Sequence, residues 1–205
     1  MPVCGHDVWR ISRGLQLDPS SFLVAWQEEE PGTDGFRLEP RGPLFTLVLD
    51  KRSWATQQSA CRFLLRFPGG QDRCGIYDHR PVACRSYPML LVDHDVVMRD
   101  DPLCPPGAWS AADVRDPSWR QALQQAHMQY DVYKLVAAHW NARLTEGESR
   151  DLADYYAYVL RAYDAVGSLG PGPWEIWRLP GDPTPWQSHL DRVRDVLAEV
   201  QTGLD

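Results

Sequence analysis

Four of the five cysteines in this chain of 205 residues, Cys61, Cys74, Cys84 and Cys104, fall in one stretch of the sequence. Thiolates are the soft donors that zinc and iron–sulfur clusters take, and four of them complete a tetrahedral zinc site or the corners of a cubane cluster. Around the middle pair the sequence reads Cys74-Gly-Ile-Tyr-Asp-His-Arg-Pro-Val-Ala-Cys84-Arg-Ser-Tyr-Pro88. A metal-thiolate centre keeps net negative charge, and cationic or hydrogen-bonding groups beside the sulfurs lower the cost of burying it. Arg80 and Arg85 are spaced for that work, and the Tyr77 hydroxyl is a candidate donor to a thiolate. Pro81 fixes φ and can open a single helical turn that aims the Cys84 sulfur. Taken singly, each of these three side chains reads as an ordinary surface residue. The combined pattern is what assigns them to the site.

The remaining candidates are weaker. His79 lies between Cys74 and Cys84, and imidazole is a common zinc ligand, so a Cys3His site is an alternative to four cysteines. The other five histidines have no metal-like spacing among themselves. Cys4, at an expected helix start, is either a thiol made reactive by that position or a small residue near a cap. The cysteines lack the paired Cys-x-x-Cys knuckles of many structural zinc sites, which favours an iron–sulfur cluster over zinc, with both retained. No glycine-rich phosphate loop, nucleophile elbow or zincin helix motif occurs in the sequence.

The order Cys61-x-Phe-Leu, Cys74-x-Ile-Tyr, Arg80-Pro81-x-x-Cys84-Arg85-x-Tyr-Pro88 and Cys104-Pro-x-Gly resembles the YkgJ-type CxxCxxCC proteins, a family assigned to zinc or iron chelation. The resemblance covers roughly residues 1–107. It implies a metal-binding role, and it extends to flagellin lysine N-methylases, which makes a cluster-dependent reaction on a protein the alternative reading. A structural zinc module that presents the helical half to a protein partner is a third. Members of that family also carry a cysteine cluster ahead of a segment similar to Met1–Ile11. The resemblance therefore leads us to expect such a cluster encoded upstream of Met1.

Composition bounds the other classes. A net charge of −7 argues against nucleic acid or an anionic membrane surface as a general partner. No apolar run approaches the length of a bilayer span, and the first residues lack the pattern of a secretory signal, so a cytoplasmic protein is expected. In a reducing compartment an odd cysteine count reads as metal ligation or catalysis in preference to a disulfide framework.

These residues must be positioned by an α+β fold with a cysteine-cluster domain over 1–107 and a helical region over 108–205. In the first part, the pattern predicts a helix from Gly5 to Arg13 stopped by Gly14, and a second helix opened by Asp18 and Pro19. A loop over 31–43, a strand at Leu44–Leu49, and a hairpin of Met89–Val92 with Val96–Arg99 come next, making a small antiparallel sheet. Cys61, Cys74 and Cys84 are expected in irregular segments between strands. In the second part, Trp119, Leu123, Ala126, Tyr130, Tyr133, Ala137, Trp140 and Leu144 stripe a long helix capped by Asp116 and started by Pro117. Leu152 to Val166 and Trp186 to Val200 make two more amphipathic helices, the last opened by Thr184 and Pro185. The three should bundle. Trp174 and Trp177, in the loop between the last two, are expected to dock back onto the core.

Overall fold

A computed structural model describes residues 1–29, 35–53, 59–93, 95–101, 114–170 and 184–200. It opens with helix α1 (Gly5–Leu15), whose first turn is held by a reciprocal cap between Cys4 and Asp7. The helix runs through Gly14 and ends at Gln16, which takes the left-handed conformation at φ 55°. Gly14 is thus not the stop that its type suggests. A Cβ there would lie 2.4 Å from the His79 ring, so the glycine makes room for a close contact between distant parts of the chain.

The helix expected after Asp18 is a single 3-10 turn, Pro19–Ser21, with the Asp18 carboxylate accepting from the Ser20 N–H at 2.9 Å. The chain then becomes strand β1 (Leu23–Gln27). The start signal is obeyed for one turn, after which pairing with β2 (Phe45–Leu49) prevails, in antiparallel register from Leu23↔Leu49 to Gln27↔Phe45. Residues Met1–Val3 also lie along β2: the Val3 N–H donates to the Leu47 carbonyl at 2.9 Å and the Leu49 N–H to that of Met1 at 3.0 Å.

Three further antiparallel ladders complete the strands: β3 (Lys51–Ser53) with β4 (Ser59–Cys61), β5 (Leu64–Arg66) with β6 (Asp72–Cys74), and β7 (Met89–Val92) with β8 (Asp95–Met98). The expected antiparallel pairing is therefore delivered as two-stranded ladders, and the predicted hairpin forms with its second strand starting one residue early. Between β6 and β7 lie a 3-10 turn, Tyr77–His79, and the short helix α2 (Val82–Ser86).

The second part contains α3 (Ser118–Ala142), α4 (Leu152–Gly167) and α5 (Thr184–Glu199), which pack against one another. The expected start is shifted by one residue: Pro117, not Asp116, is the N-cap of α3, and the Asp116 carboxylate just before it accepts from the Ser118 N–H at 2.9 Å. The stripe is buried at Leu123, Ala126, Tyr133, Ala137 and Trp140, and half-buried at Trp119 and Tyr130. Trp174 and Trp177 lie outside the described residues.

One hydrophobic cluster runs from Val3, Val8 and Ile11 through Phe22, Phe36 and Leu47 to the bundle. Phe36 stacks on Tyr155 of α4 at 3.7 Å, and the Trp140 indole N–H donates to the Arg37 carbonyl at 2.7 Å. Asn141 accepts from the Arg37 N–H at 2.8 Å and donates to the Gly35 carbonyl at 2.9 Å, so α3 fixes the backbone that leads into β2. Among the described residues, no helix is long and apolar enough to cross a membrane.

Candidate metal centre

Three of the candidate ligands, Cys61, Cys74 and Cys84, sit on regular elements, which corrects the expectation of irregular segments. Cys61 closes β4 opposite Lys51, and Cys74 closes β6 opposite Leu64. Cys84 lies in α2, where its N–H donates to the Pro81 carbonyl at 2.9 Å, so Pro81 opens the turn as its fixed φ suggests. Short ladders and a single turn hold their Cα atoms more firmly than loops do, and a multi-thiolate centre needs that precision. Cys104 lies outside the described residues.

Cys61, Cys74 and Cys84 are free thiols, the first exposed and the other two half-buried. They share one electrostatic neighbourhood. The Cys84 thiol is pushed up to about 11, first by burial and then by the negative charge that Cys61, Asp7 and Cys74 carry when ionised. Among the described residues no group of three or more His, Cys, Asp or Glu is arranged to hold a metal ion. The donor chemistry is that of a thiolate site: three free thiols come from separate elements, β4, β6 and α2.

Those cations are only partly the expected ones. Arg85 follows Cys84 on α2, and its Nε is buried with no hydrogen-bond partner. The Arg80 guanidinium lies over the Tyr77 ring at 3.8 Å, and its Nε donates to the Tyr77 carbonyl at 3.1 Å. Tyr77 is 63% exposed, so this pair forms a rim. Together with Asp72, Arg73 and Cys74 it lines an open groove of about 610 Å³. His79, weighed as a fourth ligand, has its ring packed on Gly14 of α1.

Sequence reasoning missed two residues of α1. Asp7 is fully buried; one carboxylate oxygen accepts the Val82 N–H at 3.0 Å, and the other accepts the Cys4 N–H and the Cys4 thiol, each at 3.3 Å. Burial raises its pKa, and the bonds from Val82 and Cys4 pull it back. Arg10, one turn on, donates to the Arg80 carbonyl at 2.6 Å. The available signal was an acid and an arginine three residues apart in the first turns of a helix, which alone reads as capping and surface charge. Cys4 resolves to the plainer of its two readings, since burial and the adjacent Asp7 push its thiol well above the usual range. His6 is lowered to about 4, first by burial and then by the charges of Arg10 and Arg85. The Tyr130 hydroxyl of α3 is pushed up by burial and then by the nearby Cys4 and Asp7.

No protein-family model, curated protein or solved structure matches this chain.

Proposed function

We propose that this protein binds a metal, as an iron–sulfur cluster or zinc, through Cys61, Cys74, Cys84 and Cys104. The observation that supports the reading best is that Cys61, Cys74 and Cys84, contributed by β4, β6 and α2, share one electrostatic neighbourhood. Arg85, next to Cys84 on α2, adds a buried Nε with no hydrogen-bond partner. When bound, the metal supplies either an electron-transfer centre or a rigid structural crosslink. The chain's own residues would supply the thiolates, the compensating charge of Arg85, and the Tyr77–Arg80 rim at Cys74. The absence of paired Cys-x-x-Cys knuckles in the sequence favours the cluster over zinc. Free thiols in this number fit a reducing compartment, and the cytoplasm is the proposed location.

Purification without oxygen, followed by elemental analysis and a visible spectrum, tests the reading. Stoichiometric iron with sulfide and visible absorption supports the cluster, and stoichiometric zinc without colour supports zinc. Protein that carries neither metal, and takes up neither on reconstitution, overturns the proposal.

A further inference from the structure

Asp7 is the only buried carboxylate among the described residues, and it lies between the start of α1 and the start of α2. Its bonds go to three donors: the Val82 N–H at 3.0 Å, and the N–H and thiol of Cys4 at 3.3 Å each. An ionised carboxylate is acceptor-only and suits such a set, whereas an amide would turn its own N–H bonds against one side of it. Arg10, on the same helix, donates to the Arg80 carbonyl at 2.6 Å. The backbone from Arg80 to Val82 is therefore gripped at both ends by α1, once through a carbonyl and once through an N–H. Cys84 stands on the same short helix as the gripped Val82. Helix α2 has 5 residues, too few to hold its own shape in water, so its orientation must come from outside.

We propose that Asp7 and Arg10 form a clamp that positions Cys84 for the metal, which makes α1 a determinant of metal affinity although neither residue is a ligand. The inference rests on the metal-binding reading above. It differs from a general contribution to stability, because the clamp acts on one ligand-bearing turn.

Cobalt(II) titration of the full chain, followed by its thiolate charge-transfer absorption, is the test, with amide hydrogen exchange measured on the metal-free protein. Asp7→Ala should weaken cobalt binding by about 10–100-fold and speed exchange at Val82 by about 10–100-fold. Asp7→Asn, nearly the same size and able to accept the Val82 N–H, should fall between parent and Asp7→Ala, and Arg10→Gln should weaken binding in the same direction. Val193→Ala, which removes buried contact in the bundle far along the chain, gives the effect of destabilisation alone and should leave cobalt affinity unchanged. If the parent binds cobalt through thiolates while the Asp7 and Arg10 variants match Val193→Ala, the clamp is overturned and the metal site stands. If the parent shows no thiolate-bound cobalt, the metal reading fails and the clamp with it. Should Asp7→Ala fail to fold, Asp7→Asn and Arg10→Gln decide between these outcomes.

Discussion

Cys84 is the residue on which the proposed centre depends most. It is half-buried, its thiol is raised to about 11, and its position comes from a turn held on both sides. A four-coordinate site that loses one sulfur is left open, with the charge around it uncompensated. Cys84→Ser and Cys74→Ser should each strip most of the metal, whereas Cys4→Ser, which removes a thiol bonded to Asp7, should leave most of it bound. Metal analysis of the three purified variants checks this, and equal retention in all of them would contradict the assignment. The role proposed for Arg85 is to offset thiolate charge. Arg85→Ala should lower metal affinity about 10–100-fold without abolishing binding, and the deficit should shrink as salt rises. His6 gives a separate handle. Its folded pKa of about 4 lies below the ordinary 6.5, so the unfolded chain takes up the proton more readily. The neutral imidazole's contribution is complete above pH 6.5 and is lost as pH falls towards 4, by at most about 3 kcal/mol. Urea unfolding of the parent and His6→Gln at pH 7 and pH 5 should show an acid loss in the parent that the variant lacks.

Among the elements, those with strong periodicity were legible in the sequence. The stripe from Trp119 to Leu144 spans enough turns for its period to stand out, and α3, α4 and α5 arise from such stripes and their caps. Ladders of three residues, such as β3–β4 and β5–β6, are too short to show an alternation, which is why Cys61 and Cys74 read as loop residues. The helix signal after Asp18 is a true start overruled by strand pairing. The Asp7–Val82 bond joins residues 75 apart and has no local trace at all. Gly14 reads as a stop for the same reason, since its purpose is contact with the distant His79. Gly14→Ala should therefore cost about 1–3 kcal/mol through the collision with that ring, and most of the cost should vanish when His79 is also replaced by Ala. A double-mutant cycle by chemical denaturation measures this; independent, additive effects would contradict the contact.

At the scale of the whole molecule, the cysteine-bearing part and the helical part share one core, joined where Phe36 stacks on Tyr155 and where Trp140 and Asn141 hold the backbone at Gly35 and Arg37. Trp140 is fully buried, so Trp140→Ala should destabilise by about 3–5 kcal/mol. Because the core is shared, far-ultraviolet and tyrosine signals should shift together in that variant, and two separated transitions would contradict a common core. The central claim is that thiols from separate elements bind one metal centre. X-ray absorption at the metal edge of protein purified without oxygen tests it most directly. The account predicts sulfur neighbours at about 2.3 Å, with fewer of them, or no metal left to measure, in Cys84→Ser. A metal surrounded only by nitrogen and oxygen, unchanged in Cys84→Ser, would contradict it.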